Sequence, residues 1–500
     1  MRVLKALWGV GLAAGLLLVL AGSAMAAGGT KVCVPTAENT AIVTPSAGTT
    51  CKTGFTLTEL GAEGKEGKEG KEGKAGKEGV AGKEGKEGKE GKEGTFAGLT
   101  TEDKATLLSI LPCIKFVASG IDKKPTVQFT KCNVQVVSGA AKEAELNGLG
   151  NLVIGINEEP GTQTGSNNLV LGTIGQAFTN YGGLIAGARN TVSGEAASVT
   201  GGRYNTASGA KASVTGGESN VAKSAYSSVS GGKLDTASGE HSWASGGYSN
   251  TASGLESSVS GGYGDEAKNT YAWASGGYEN KATGAYASTS GGQSDEAIGV
   301  VSSAMGGYEN KSAEYGSSVS GGFLNDAGGF YSSVSGGVEG KAAGEASSVS
   351  GGELGNAEGQ VSSVTGGLEN GATGLFSSVT GGLKNTASYT EASVSGGYGN
   401  LASNEQASVS GGYFNTADGL QASVSGGYES AASGTQASVS GGGVNLANGK
   451  EASVSGGYLV KAEGENASVT GGSNNLASGQ FSAILGGHEI TVSGVNEFYP

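Results

Sequence analysis

From Ser198 to Gly487 the chain alternates small apolar and hydroxyl residues in short bursts, each closed by Gly-Gly, and the burst recurs every 15 residues without insertion. Twenty Gly-Gly pairs fall on that ruler, from Gly201-Gly202 to Gly486-Gly487, and single glycines at Gly172 and Gly187 extend it backwards. In Ala452-Ser453-Val454-Ser455-Gly456-Gly457-Tyr458, alternation at a period of two sends Ala452 and Val454 to one face and Ser453 and Ser455 to the other, the pattern of a short strand. The second half of the unit, as in Asn415-Thr416-Ala417-Asp418-Gly419, alternates again with the alanine inward, and Gly419 suits a turn that needs a positive φ. Each coil is therefore predicted to hold two short strands and two turns. Eighteen of the twenty units carry Ala at the second inner site, with Ser312 and Val492 as exceptions, and the residue two before the valine is always Ala or Ser. Side chains of this size fill only a narrow core. The predicted architecture is all-β: a parallel roll of two sheets in which stacked coils bury what a single coil cannot.

Before the roll the pattern changes several times. Residues 1–26 carry Arg2 and Lys5, an apolar run through Leu20 and then Ala24-Met25-Ala26, which reads as a secretory signal peptide with a small-residue cleavage site. The mature chain is expected to be secreted or held at the cell surface, without a transmembrane anchor. Residues 27–60 form a segment with Cys33 and Cys51, while Cys113 and Cys132 lie further on. Four cysteines in an exported chain suggest two disulfides, and of the three possible connectivities the local one, Cys33 with Cys51 and Cys113 with Cys132, closes the shortest loops.

Residues 61–94 have glycine at every third position, twelve in all, with Lys and Glu filling most triplets. Unbroken spacing of this kind reads as a collagen-like triple-helical stalk, which demands three chains; a solvated linker is the alternative, since the tract holds no proline. In residues 95–137, Thr100-Thr101-Glu102-Asp103 supplies a helix cap. Leu107, Ile110 or Leu111, Ile114 and Val117 then step by three and four, as in a short coiled-coil seam that Pro112 keeps brief. This short α/β module reads either as a trimerisation nucleus or as a helix packed on the strands after it. Those strands are expected over Thr126 to Val137, as a pair or as one bulged strand. Residues 138–500 are the roll with its caps. Leu152-Val153-Ile154-Gly155 and Leu169-Val170-Leu171-Gly172 are 17 residues apart and greasier than the later units. At the far end Ile490, Val492, Val495, Phe498 and Tyr499 are expected to cover the last open coil.

The run from Asn445 to Gly457, Asn-x-Ala-x-Gly-x-x-Ala-Ser-Val-Ser-Gly-Gly, resembles the head repeats of trimeric autotransporter adhesins, the YadA-like left-handed parallel β-roll. The resemblance extends from about Asn190 to Gly494. Family heads place an aliphatic before the glycine, a form kept here only near the ends, in Leu169-Val170-Leu171-Gly172 and Ala483-Ile484-Leu485-Gly486. The resemblance implies a homotrimer and adhesion to extracellular matrix, glycan or cell-surface ligands. Family members continue into a coiled-coil stalk and an outer-membrane β-barrel, whereas this chain stops at Pro500, just past its last coil. Self-insertion is therefore not expected, and attachment falls to the N-terminal part or to another protein.

Composition and charge narrow the function further. With 97 Gly, 6 Pro and 6% aromatic residues among 500, the chain cannot pack several ordinary globular cores. Its net charge of −14 is read as spread over outward variable sites such as Glu218, Glu279, Asp295 and Glu353, which keeps a long rod soluble and excludes nucleic acid as a partner. Tyr follows Gly-Gly in eight units, among them Tyr248, Tyr263, Tyr278, Tyr398, Tyr413 and Tyr428; such a row either binds glycan or protein, or is a structural ladder or trimer seam. Trp243 and Trp273 replace the first serine of the strand, and in both units the neighbouring valine becomes Ala244 or Ala274, the mark of an inter-chain contact or a ligand patch. Met305 belongs to the same irregular zone.

His241 and His488 are the only histidines, too few for the catalytic cleft of a β-helical acyltransferase, and no enzyme activity, cofactor or metal is expected. Gly261-Gly262-Tyr263-Gly264-Asp265 approaches a calcium nonapeptide, but the Asp is misplaced and the nine-residue period is absent. The reading is an exported, non-enzymatic fibrous protein acting as an adhesin-like binding rod. The alternatives are a structural component of a coat, sheath or appendage and, as a minor one, an ice-binding solenoid presenting the Ser-Val-Ser face.

Overall fold

The computed structural model describes residues 30–35, 55–60 and 99–500, and the chain divides into two units, Met1–Thr100 and Thr101–Pro500. In the first, β1 (Thr30–Pro35) and β2 (Phe55–Leu60) pair antiparallel, Thr30 opposite Leu60. The signal segment, the Gly-x-y tract and the Cys33–Cys51 pairing lie outside the described residues.

The second unit opens with α1 (Thr101–Ile110). A 3-10 turn, Leu111–Cys113, follows and places Pro112 in its first positions, where a missing N–H breaks no hydrogen bond. The expected seam is therefore shorter than the spacing suggests: Ile114 and Val117 belong to β3 (Ile114–Val117), not to a helix. β3 pairs antiparallel with β4 (Thr126–Phe129), Ile114 opposite Phe129, and Thr130 N–H donates to the Cys113 carbonyl at 2.8 Å. Cys113 and Cys132 are disulfide-bonded just beyond this hairpin, their Cα atoms 5.5 Å apart. The alternation from Cys132 to Val136 forms no strand. Only residues 126–129 do, and their partner, β3, lies upstream.

β5 (Leu152–Glu158) and β6 (Leu169–Ile174) begin the solenoid, paired in parallel with a register shift between Gly155 and Glu158. That irregularity absorbs one of the two extra residues of the first, 17-residue coil, and the other is taken up before the bridge between Gln163 and Phe178. Beyond it about 23 turns of parallel β-solenoid stack in 15-residue coils, or about 110 Å at ~4.8 Å per coil. Each regular coil carries two strands of two residues. Ser408–Val409 pairs in parallel with Ser393–Val394 and Ser423–Val424, and Leu401–Ala402 with Thr386–Ala387 and Thr416–Ala417. A third ladder runs through the residue after each Gly-Gly, from Ala188 to His488. Ala402, Ala407 and Val409 are all but fully buried and their counterparts repeat along the rod, so the narrow core of Ala, Ser and one Val per coil is as the alternation predicts.

The turns differ from expectation. Gly419 does not adopt a positive φ; in its coil the positive-φ positions are Gly412 (φ 95°) and two residues that are not glycines, Phe414 (φ 52°) and Gln421 (φ 59°). Gly419 is required for a different reason, since a Cβ there would strike the Gly434 carbonyl of the next coil. The strain at Phe414 and Gln421 is offset by the stacked backbone. Phe414 N–H donates to the Tyr398 carbonyl at 2.8 Å and Gln421 N–H to the Glu405 carbonyl at 2.8 Å, both in the preceding coil.

In most coils one turn is completed by a buried amide. Asn400 donates Nδ2–H to the carbonyls of Gly396 (2.8 Å) and Gly412 (3.1 Å), accepts Asn415 N–H on Oδ1 (2.8 Å), and gives its own N–H to Asn385 Oδ1 (2.9 Å). Twelve of the twenty units hold Asn at this site, so a polar ladder runs inside the wall of the rod, and around Asn400 both the side-chain amide and the side-chain oxygen are satisfied.

The C-terminal cap is also different. Phe498–Tyr499 pairs in parallel with Ala483–Ile484 and continues the sheet, while Val495, Phe498 and Tyr499 remain exposed and only Val492 is buried. With an Ala483–Ile484 edge open above them, these residues gain more by extending the backbone ladder than by folding back over it.

Candidate functional site

A chain built this way turns any recurring residue into a stacked row. Tyr248, Tyr263 and Tyr278 stack with centroids 5.1 and 4.9 Å apart and ring planes within 6°. Tyr398, Tyr413 and Tyr428 form a second stack at 4.9 and 5.3 Å. Gln293 and the run from Val338 to Leu383 separate the two, with Tyr308 on Phe323 (5.0 Å) between them. Phe414, held in its left-handed turn, packs edge-on against Tyr398 and Tyr413 at 5.1 and 4.6 Å. Most of these rings are 38–48% exposed, enough to stiffen one another while leaving an edge and a hydroxyl to solvent.

Acidic neighbours keep several of the hydroxyls protonated. The charge of Glu279 raises the Tyr278 phenol, and hydrogen bonds to Glu309 and Glu429 raise those of Tyr308 and Tyr428. The rows thus present neutral donors beside carboxylates, a pattern suited to polar, hydroxyl-rich ligands.

Trp243 and Trp273 belong to a different ladder, that of the Ser-Val strands. Each lies in register with Ser258, one on either side, which sets them two coils or roughly 10 Å apart along the rod. Both are about two-fifths exposed. Their indole N–H groups donate back to Ser230 (3.1 Å) and Ser260 (3.4 Å) of the preceding coil. Met305 is exposed two coils beyond Trp273, just past the end of the strand Ser303–Ala304.

A second aromatic row escaped the sequence reading. At the left-handed site of the other turn, Tyr226 stacks on His241 (4.6 Å, 2°) and Tyr271 on Tyr286 (5.0 Å), and Lys211 Nζ lies 5.1 Å from the Tyr226 centroid. Further along, the same site forms an amide ladder, Gln406 to Glu391, Gln421 to Gln406 and Gln436 to Gln421, at 2.6–2.9 Å. Its signal was the 15-residue spacing of these residues, hidden by their varied chemistry. Charges also pair across coils, as in Arg203–Glu218 (2.9 Å) and Lys281–Glu296 (3.0 Å).

Asp295 is not among the outward charges where the composition placed it: it is buried at the amide-ladder site, as are Asp235 and Asp265. Among the described residues no three His, Cys, Asp or Glu side chains are grouped to hold a metal ion, and no helix is long and apolar enough to cross a membrane. No protein-family model and no curated protein matches the chain. What the fold defines is the class, a parallel β-solenoid.

Proposed function

We propose that this is an exported, non-enzymatic, homotrimeric fibrous protein, displayed outside the cell as an adhesin-like binding rod. The observation that carries the reading is the pair of parallel, half-exposed tyrosine stacks, Tyr248–Tyr263–Tyr278 and Tyr398–Tyr413–Tyr428. Rigid aromatic edges spaced about 5 Å apart over a rod roughly 100 Å long offer many weak contacts to a repetitive ligand such as a glycan or a matrix protein, and avidity multiplies weak contacts. The YadA-like unit from Asn445 to Gly457 supports the same reading.

Trimerisation rests on the base of the rod. No residue of α1 is buried, and an isolated ten-residue helix does not hold its shape in water. Leu108, Phe116, Ile121 and Val127 are more than half exposed around it, so two further copies of the chain are the natural cover. A collagen-like tract over residues 61–94 would bring the three together.

The test is binding of the mature protein to immobilised glycans and matrix proteins, compared with a variant carrying Tyr263→Ala and Tyr413→Ala. The expected result is binding that weakens at least tenfold in the variant. A trimer that binds none of the panel would instead be an architectural component of a coat, sheath or appendage.

A further inference from the structure

Three coils put a carboxylic acid where twelve others carry the Asn amide. Asn250 donates Nδ2–H to the carbonyls of Gly246 (2.7 Å) and Gly262 (3.1 Å), Asn280 and Asn310 do the same in their coils, and each accepts the next coil's N–H on Oδ1. Asp235, Asp265 and Asp295 alternate with these residues and are 0% exposed. Their Oδ1 atoms keep the accepting role, toward the N–H of Asn250, Asn280 and Asn310 at 2.8–2.9 Å.

Oδ2 is buried without a partner in all three. It takes the place of the amide nitrogen, for a Cβ added to Gly232, Gly262 or Gly292 would run into it just as one added to Gly247 would run into Asn250 Nδ2. By the register of the ladder, the groups facing Oδ2 are the glycine carbonyls that accept from Nδ2 elsewhere, those of Gly231 and Gly247 in the case of Asp235. An ionised oxygen would meet two acceptors there with no water to separate them. A proton on Oδ2 makes it a donor and restores the amide's pattern.

A second substitution accompanies each acid. The core position nine residues on is Val, Ile or Thr in every other regular coil, and Ala only at Ala244, Ala274 and Ala304. This position abuts the ladder site: a Cβ at Gly340, which holds the ladder site in its own coil, would lie 3.2 Å from Val349 Cγ1 and 3.4 Å from Val334 Cγ1. Each acid therefore stands beside a core residue that has lost two methyl groups. The apolar core is interrupted on both sides of this stretch, between Ala244 and Ala252 and between Ala304 and Val319. Within it Thr289, in the valine site of the Asp295 coil, buries a hydroxyl without a partner.

We infer that Asp235, Asp265 and Asp295 are proton-binding sites: in the folded rod each is a neutral acid whose Oδ2–H donates to a glycine carbonyl, and coils 235–310 loosen when those protons pass to solvent. Burial pushes all three carboxyls upward, Asp265 to about 6, against the N–H groups of Asn250, Asn280 and Asn310 and, for Asp235, of Lys233. No charged side chain contributes to these shifts. The charged residues next to the acids, Lys233, Glu266 and Glu296, turn outward, with Lys233 near Glu218, Glu266 on Lys268 and Glu296 on Lys281.

Because the folded values lie above the unfolded value of about 4, the folded state holds the extra protons. Their stabilisation is complete below about pH 4 and is lost as pH rises through the folded values, about 6 for Asp265. The section affected presents Trp243 and Trp273, whose strands carry Ala244 and Ala274 on the inner face.

Hydrogen exchange on the full protein tests this, with protection of coils 235–310 taken relative to coils 370–445 so that the intrinsic pH dependence of exchange cancels. The expected ratio falls roughly tenfold or more between about pH 4.5 and 7.5. In the triple variant Asp235→Asn, Asp265→Asn, Asp295→Asn, which completes the amide ladder, it stays high at both. A flat ratio in the native protein, or an unchanged pH dependence in the triple variant, overturns the proposal. So does recovery of protection at pH 7.5 on adding calcium or sodium, which would make the occupant a metal cation. Infrared spectra of the native protein minus the triple variant supply a second readout: a protonated-carboxyl band in that difference at pH 5 is expected, and its absence contradicts the proposal.

Discussion

The regular coils and the module that precedes them treat apolar side chains in opposite ways. In the coils those that turn inward are small, and Val409, Ala402 and Ala407 are each no more than 1% exposed. Between Thr101 and Glu158 they are large and open, with Phe116 at 67% and Ile121 at 80% exposure, and β5 buries none of its residues. A coil needs only its two neighbours, which the chain itself supplies. Among the described residues nothing covers the module, and large exposed apolar groups on a short helix and hairpin are where the proposed association of copies would fall. The difference separates self-sufficiency, which belongs to the repeat, from the association proposed for its base.

The strongest way to break the contrast is to charge the self-sufficient part. Ala402→Asp places an unpaired carboxylate in the narrow core and is expected to cost about 4 kcal/mol, read as local loss of hydrogen-exchange protection, whereas Ser410→Asp on the surface changes it by no more than ~0.5 kcal/mol. Equal effects at the two sites would remove the inside–outside assignment. Asn400→Ala strands the carbonyls of Gly396 and Gly412 and the Asn415 N–H, for an expected loss of about 2–3 kcal/mol; a loss under ~0.5 kcal/mol would mean that the amide ladder is ornamental. Tyr263→Ala removes two ring stacks at the surface, and chemical denaturation is expected to show a cost near 1 kcal/mol. The smallest effect belongs to the module: Leu108→Ser with Phe116→Ser leaves unfolding of the coils within ~0.5 kcal/mol of the parent while weakening self-association, as sedimentation will show.

The coils were legible because a 15-residue period with two-residue alternation fixes inner and outer faces residue by residue, as at Ala417 and Val454. What the sequence concealed was set by contacts one coil away. Asn400 looks like an ordinary turn residue until the carbonyls of Gly396 and Gly412 are seen around it, and Asp295 looks like a surface charge for the same reason. Gly419 was assigned the wrong duty, because steric exclusion by the Gly434 carbonyl and tolerance of a positive φ both select glycine. In the base, Leu107, Ile110, Ile114 and Val117 keep helical spacing across Pro112, but the chain changes from helix to strand there, and spacing alone does not register that change. The aromatic row at Tyr248, Tyr263 and Tyr278 was visible; the one through Tyr226, His241, Tyr271 and Tyr286 was not, because Glu256 interrupts it.

The solution mass of the mature protein by light scattering, with and without residues 61–94, tests the central claim most directly. Three chain masses in both forms are expected, since the exposed base around α1 and β3 is proposed to associate by itself. A single chain mass in both would contradict the account, leaving a solitary acidic solenoid whose tyrosine rows lack the multivalency the proposed binding requires.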